Sequence, residues 1–229
     1  MQCLPLPLTG HAGVMAACNS EPGVLTVWSD VACPWATLAL HTLRERARAK
    51  NVVLHIDHRV FPLELVNSAA TPQPMHDDEV ERIIAILPSL GWQQWTQPAW
   101  QYPVTMLPAI QAVQAAKHMG LRASDALDGA LRRAFFVEQR CVSLRHVIDD
   151  IAQDVPDIDA SRLGALLDSG AGLDAISADR RELADGQVQG SPHIWTADGP
   201  YAANPGVDDV NEFTAYDASW ADQLIAKVA

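Results

Sequence analysis

The spacing of apolar residues changes several times along the chain. Val24-Leu25-Thr26-Val27-Trp28 is a nearly continuous apolar run, which predicts a strand buried on both faces. Ser29-Asp30-Val31-Ala32 follows as a loop, and Cys33-Pro34 opens a helix running to about Lys50. Proline suits the first helical turn, where its missing N–H costs nothing. Arg44, Arg46, Arg48 and Lys50 crowd the far end, where positive charge complements the helix dipole. From Val53 to Val60 the period becomes two. Leu54, Ile56, His58 and Val60 fall on one face of a half-covered strand, which ends at Phe61-Pro62. Strand, helix and strand in this order predict a parallel pair joined by a crossover.

From about Asp77 to Asp185 the period is helical. Helices are expected over Asp77–Leu87, Met106–Gly120, Ser124–Arg140, Ser143–Gln153, Asp159–Ser169 and Asp174–Asp185. Thr105, Ser124, Ser143 and Asp159 have the residue types of N-caps. The segment 91–103 is irregular and carries Trp92, Trp95, Trp100 and Tyr102. Strand character returns at His193-Ile194-Trp195-Thr196, followed by a turn at Ala197–Pro200 and a short strand near Tyr201-Ala202. A terminal helix is expected from about Asp208 to Ala226. The pattern is that of an α/β sheet domain, residues 23–65 and 186–229, interrupted by an inserted helical domain, residues 66–185.

Residues 1–22 read as a disordered leader outside the fold, or as untranslated sequence ahead of a start at Met15. Met15-Ala16-Ala17-Cys18 loosely resembles a lipoprotein cleavage site, but Pro5 and Pro7 and the absence of Lys and Arg make a poor signal peptide. The 229 residues suffice for a core without disulfide staples. A formal net charge of -12 argues against nucleic-acid and anionic-membrane partners. No apolar run approaches the ~20 residues of a membrane helix. Cys3, Cys18, Cys33 and Cys141 are scattered without metal-ligand spacing, a pattern that fits a reducing, cytoplasmic compartment.

The chemistry centres on Cys33. The end of a helix offers free N–H groups and partial positive charge, and cysteines there can have pKa values lowered to ~3.5–7.5. A thiolate is the nucleophile of disulfide exchange. The alternative is a buried, inert cysteine. Asp30 is either an acid that moves protons for the thiol or a loop carboxylate satisfied by nearby N–H groups. His193 is either a second acid/base or a half-buried strand histidine. The aromatic segment Trp92–Tyr102 either walls an apolar groove or packs between helices. Asp77-Asp78-Glu79 reads as helix capping through the dipole, not as a metal site.

Ser29-Asp30-Val31-Ala32-Cys33-Pro34-Trp35 resembles the active-site segment of the DsbA-like thioredoxin family, especially its cytoplasmic FrnE-type branch. Phe61-Pro62-Leu63-Glu64-Leu65, Ala134-Phe135-Phe136-Val137-Glu138 and Gly190-Ser191-Pro192-His193 resemble further landmarks of that branch, in the same order. The resemblance spans roughly Val24 to Val207. It implies a thioredoxin fold with a large helical insertion and thiol–disulfide exchange at Cys33. By the same resemblance, Pro34 and Trp35 shape an exposed turn, and Ser191-Pro192 is the cis-proline pair opposite the thiol. The free backbone groups of Ser191 would then pair with an extended substrate.

One departure changes the expected chemistry. Ala36 stands where the family has its second cysteine, so no disulfide can close within the tetrapeptide Cys33-Pro34-Trp35-Ala36. A mixed disulfide at Cys33 must be released by another thiol: glutathione, mycothiol, a substrate thiol or a distant cysteine. Cys141 is the one other cysteine inside the expected fold, and its context reads as helical packing. Three functions remain open. The first is a monothiol oxidoreductase that uses a small-thiol co-substrate and no tightly bound cofactor or metal. The second is a thiol-dependent isomerase or transferase of the hydroxychromene-carboxylate isomerase or kappa glutathione transferase kind. The third is a non-catalytic peptide-binding module. The expected partners are thiol or disulfide substrates, with the chain a monomer or homodimer.

Overall fold

A computed structural model describes residues 21–210 and 213–228. Of the expected leader, Glu21 and Pro22 fall within them and form a turn into the first strand, where Val24 N–H donates to the Glu21 carbonyl at 2.9 Å. The rest of the leader, with Cys3 and Cys18, lies outside the described residues.

Strand β1 (Val24–Ser29), helix α1 (Pro34–Ala49) and strand β2 (His55–Val60) form the expected parallel crossover, with Leu25 opposite Ile56 and Ser29 opposite Val60. Leu25 and Val27 of β1 and Ile56 of β2 pack on Leu40 and Leu43 of α1. Trp28 points the other way, against Phe61 and Trp195, with the Arg59 guanidinium 4.7 Å from the centre of its ring. Both faces of β1 are therefore covered, as its unbroken apolar run requires.

The chain then leaves the sheet for α2 (Leu63–Val66), α3 (Gln73–Ile86), α4 (Leu107–Ala116), α5 (Leu121–Phe136), α6 (Arg145–Gln153), α7 (Ala160–Asp168) and α8 (Leu173–Leu183). It returns with β3 (His193–Thr196) and β4 (Gly199–Ala203). The sheet order is β2-β1-β3-β4, with β3 antiparallel to both of its neighbours. A separate hairpin, β5 (Val207–Val210) and β6 (Phe213–Tyr216), precedes the closing helix α9 (Ser219–Val228), whose Leu224 and Ile225 complete the core around Leu25.

The largest core belongs to the helices, around Ile83, Ile110, Val113, Leu127, Leu131 and Phe135, and it also takes in Val31, Ala32, Leu38 and Val60. Burying a leucine or phenylalanine of this kind is worth about 1.5–3 kcal/mol. Val31 and Ala32 immediately precede Cys33, so the loop that carries the thiol is clamped between the sheet and the helical insertion.

Several boundaries differ from the sequence reading, for local reasons. Helix α3 starts at Gln73, earlier than Asp77, because Pro72 and Pro74 suit a first turn. The Asp77 carboxylate does not cap that helix end. It accepts from Trp95 N–H at 2.9 Å and so pins the aromatic segment. Helix α5 starts at Leu121 after Gly120, leaving Ser124 inside it with its hydroxyl donating to the Val113 carbonyl. The Ser143 hydroxyl donates to the Thr105 carbonyl instead of capping α6. Asp159 does cap its helix, accepting from Arg162 N–H at 2.9 Å. The helix expected from Asp208 is replaced over its first part by the β5–β6 hairpin. Gly206 allows the hairpin to lie on α9: its φ is +78°, and a Cβ there would come within 2.6 Å of the Trp220 ring.

Candidate active site

Cys33 is the N-cap of α1, with extended backbone angles and Pro34 in the first helical position. Its sulfur accepts from Ala36 N–H at 3.4 Å, and its thiol donates to the Ser191 carbonyl at 3.0 Å. The Ser191–Pro192 peptide is cis. The Ser191 hydroxyl accepts from Asp30 N–H at 2.9 Å, so the β1–α1 loop and the loop before β3 are tied together on either side of the sulfur. Ala36 is fully buried and meets the sulfur only through its N–H, which leaves no second sulfur in the motif.

The sulfur's setting reverses one expectation. Cys33 is 5% exposed, and burial pushes its thiol up to about 12. The Ser191 hydroxyl and Ala36 N–H favour the thiolate but do not outweigh the lost hydration, while Glu79 and Asp30 add repulsion. A helix N-terminus lowers a thiol's pKa only where water still reaches the sulfur, and here it scarcely does. The turn is also less open than expected: Pro34 is buried, and Trp35 is half-buried against the helical core. The Ser191 carbonyl is not free in this state, because it holds the thiol.

Asp30 is 1% exposed. Its carboxylate accepts from Ala32 N–H and Leu63 N–H, both at 2.8 Å, and burial raises its pKa to about 6. It is thus both a satisfied loop acceptor and a group that titrates near neutrality beside the thiol. His193 is turned elsewhere. Its Nδ1 accepts from Gln189 N–H at 3.1 Å, its ring lies 5.4 Å from that of Trp195, and burial lowers its pKa to about 4.

Sequence reasoning missed the residue behind this loop, Arg132 of α5, which is 2% exposed. Its Nε donates to both Asp128 oxygens at 2.9 Å. One terminal nitrogen donates to the Asp30 carbonyl at 2.9 Å and to the Thr37 hydroxyl at 2.8 Å, and the other to the Ser29 hydroxyl at 3.0 Å. Thr37 in turn donates to the Cys33 carbonyl at 2.9 Å. One guanidinium therefore fixes the end of β1, the loop and the first turn of α1. The signal was present in the sequence: Asp128 and Arg132 sit four residues apart within the apolar stripe Leu127, Leu131, Phe135.

Asp128 belongs to a wider cluster. Arg44 donates to Asp125 at 2.6 Å and to Asp128 at 2.8 Å, and His58 Nε2 lies 2.8 Å from Asp125. Nearby positive charge holds the Asp125 carboxyl down to about 2, and that of Asp128 lower still. Among the described residues, His58, Asp125 and Asp128 are the group whose ligand atoms come within a metal's reach of one another. Arg44 and Arg132 already neutralise these carboxylates, so a divalent cation there would face two fixed positive charges.

In front of the loop, Asp30, Ala32, Leu63, Glu64 and the segment Tyr102–Met106 line a small open cleft. Glu64 accepts from the Thr105 hydroxyl at 2.7 Å and from Met106 N–H at 2.8 Å. The aromatic segment divides between two tasks. Trp92 stacks on Phe136 at 4.4 Å and Trp95 meets Tyr102 edge-on, which is packing, while Tyr102 also faces the cleft. Val104 lines the same cleft and is 78% exposed. Cys141 lies between α5 and α6 as a free thiol.

A family model described as a DSBA-like thioredoxin domain matches residues 24–216. The chain belongs to this family. No curated protein sequence matches it significantly. Among solved structures, this DSBA-like chain is similar to the cytosolic disulfide reductase DsbM from Pseudomonas aeruginosa with GSH, at 15% identity and TM-score 0.63, over 90% of this chain and 98% of that one. It is also similar to a probable DsbA oxidoreductase from Streptomyces coelicolor, at 21% identity and TM-score 0.62, over 89% and 88%. A third likeness, to a 2-hydroxychromene-2-carboxylate isomerase, has 15% identity and TM-score 0.54, over 79% and 89%. At these identities the likeness is one of fold: the βαβ and ββα halves of a thioredoxin fold with a helical insertion. No helix among the described residues is long and apolar enough to cross a membrane.

Proposed function

We propose that this DSBA-like protein is a monothiol oxidoreductase of the FrnE-type branch, acting at Cys33 with a small cytoplasmic thiol such as glutathione or mycothiol as co-substrate. The observation that carries the reading is the sulfur itself, held at the N-terminus of α1 opposite the Ser191–Pro192 peptide, with Ala36 where a second cysteine would resolve it. Cys33 gives up its proton, and the thiolate attacks one sulfur of a disulfide. A new sulfur–sulfur bond forms to Cys33 and the other half leaves as a thiolate. The small thiol, itself deprotonated, attacks this mixed disulfide and returns Cys33 to the thiolate, which takes up a proton. We assign that proton to Asp30, which acts on the thiol electrostatically and whose own pKa burial raises to about 6. Pro34 and Trp35 shape the thiol's surroundings, and the Ser191 carbonyl is released for substrate as the thiol loses its hydrogen. DsbM with GSH, a fold neighbour, is consistent with a small-thiol partner.

Intact-mass measurement tests the reading. Protein treated with bis(2-hydroxyethyl) disulfide should gain one adduct at Cys33 that a small thiol removes, and Cys33→Ala should gain none there. An unmodified Cys33 in folded protein after long exposure would overturn the reading.

One observation favours a second reading. The Cys33 sulfur is buried and protonated, and it donates a hydrogen bond. A thiol-dependent isomerase or transferase, in which the bound small thiol is the nucleophile, needs no more than this. Thiol-dependent turnover of an electrophile that survives Cys33→Ser would favour it.

A further inference from the structure

His76 of α3 is 4% exposed, and neither of its ring nitrogens has a hydrogen-bond partner. Its ring sits among other aromatic rings: Phe135 at 4.9 Å and Phe136 at 5.3 Å from α5, and Tyr102 at 6.0 Å from the segment before α4. A neutral imidazole can stay in such a box, whereas an imidazolium brings two N–H donors and a full charge into it. The charge that acts on His76 comes from its own helix. It is Asp77, whose Oδ1 lies 3.8 Å from His76 Nδ1, too far for a hydrogen bond. From α5, Arg132 is bound to Asp128 and Arg133 to Glu138. Tyr102 brings a phenol whose pKa burial raises further, so it is neutral too.

Asp77 is already in use. Its Oδ1 accepts from Trp95 N–H at 2.9 Å and its Oδ2 from the Gln73 side chain at 3.2 Å, while Gln73 also donates to the Trp95 carbonyl at 3.3 Å. The Trp95 indole N–H is itself buried without a partner. Trp95 meets Tyr102 edge-on at 5.4 Å, and Tyr102 lines the cleft. The chain on either side is anchored separately. Gln139 holds Gln94 and Thr96, while Glu64 and Ser143 hold Thr105 and Met106. Residues 97–104 are thus a short stretch fixed at both ends, with Tyr102 packed against His76 and Trp95.

We propose that His76 is an acid-sensitive latch on this wall of the cleft: while its ring is neutral the stretch 97–104 stays closed on the aromatic box, and protonation of the ring releases it. The inference stands independently of the exchange chemistry at Cys33. An imidazolium here has two ways to be satisfied. It can draw the Asp77 carboxylate away from Trp95 N–H, or it can admit water between the rings. Both unpin Trp95 and Tyr102 while the anchors at either end hold. Burial agrees with this geometry, lowering the His76 pKa from an ordinary 6.5 to about 4 despite the attraction of Asp77. A histidine with a depressed folded pKa contributes stability that is fully present above the unfolded value and is lost as pH falls toward the folded one. Release therefore belongs to the window from pH 6.5 down to about 4. Buried Asp30 acts in the opposite direction on the whole fold as pH falls, so the probe has to be local.

Hydrogen exchange on the full chain tests the latch. It is read at the amides of Trp95, which donates to Asp77, and of Gln101 and Tyr102, which donate to the Pro98 and Ala99 carbonyls. Each rate is divided by that of an unstructured peptide at the same pH. Between pH 7 and pH 5, protection at these amides should fall about tenfold more than at Leu40 inside α1. His76→Phe keeps a ring in the box without the titrating group, and it should abolish that excess. In the wild type, the His76 ring protons should titrate in NMR spectra with a midpoint well below the ordinary 6.5, and the Trp95 indole signal should move with the same midpoint. This second measurement decides the matter if His76→Phe does not fold. An excess that persists in His76→Phe, protection lost equally at Leu40, or a His76 midpoint at 6.5 with the Trp95 signal unmoved would each overturn the latch.

Discussion

The two sides of the loop that carries Cys33 are built from opposite materials. Behind it, Arg132 and Arg44 pair with Asp128 and Asp125 over 2.6–2.9 Å, and His58 Nε2 lies 2.8 Å from Asp125 in the same packed polar cluster. In front of it, Asp30 and Glu64 line an open cleft whose outer wall includes Val104, mostly exposed. On the first side Arg132 has its bonds made before any substrate arrives and so fixes where the loop sits. The second side holds its two carboxylates with hydrogen bonds from N–H and O–H groups and leaves a cleft open to solvent. Position and access are therefore carried by different residues, and substitutions should separate them.

The largest effect is expected behind the loop. Arg132→Met removes one half of a buried ion pair and leaves Asp128 short of a partner, so stability should fall by about 3–5 kcal/mol in a denaturant titration. Arg132→Lys keeps the charge but cannot reach Asp128, the Asp30 carbonyl, Thr37 and Ser29 together, so it should recover only part of the loss. A wild-type midpoint for Arg132→Met would show that the loop is held by apolar packing alone.

Asp30 joins the two sides, and its signature is a pH window. Its folded pKa is raised to about 6 from an ordinary 3.8. A raised carboxyl contributes stability that is fully present below the unfolded value and is lost as pH rises through the folded value. Between pH 6 and 4 the protein should thus gain about 2 kcal/mol from this group on acidification. Asp30→Asn should flatten that gain, and it should remove an inflection near pH 6 from the rate of Cys33 alkylation. An unchanged pH profile in the variant would assign the titration to another group.

The smallest effect belongs to the front. Val104→Ser should leave stability within about 0.5 kcal/mol, since the side chain packs on little. It should weaken exchange with disulfides in apolar peptides by roughly threefold, through a raised KM with kcat unchanged. A drop in kcat would mean that Val104 helps to hold the loop.

The elements that place the thiol were legible because their signals are local. The run Val24–Trp28, the Cys33-Pro34 helix start, the alternation to Val60 and His193–Thr196 each carry their own period. The β5–β6 hairpin was not, because Asp208 and Asp209 mimic a helix start and the packing of Gly206 against Trp220 is a tertiary contact. At the site, the juxtaposition of Cys33 with Ser191 spans 158 residues and was visible only through family resemblance. The sulfur's burial was not legible because sequence shows a cysteine at a helix start but not how much water reaches it. Arg132 was overlooked because a charged residue in an apolar stripe reads as an edge position until its partners are seen.

Ala36 has a consequence for electron bookkeeping. A Cys-x-x-Cys pair can leave one partner oxidised and meet the next still carrying two electrons' worth of oxidising power. This motif cannot hold that charge of oxidant on its own, because Ala36 offers the sulfur an N–H at 3.4 Å and nothing to bond with. In the monothiol reading, each cycle at Cys33 closes on a molecule from outside the motif. The direction of flow is then set by the surrounding thiol pool, and the protein supplies the meeting place and not the driving force.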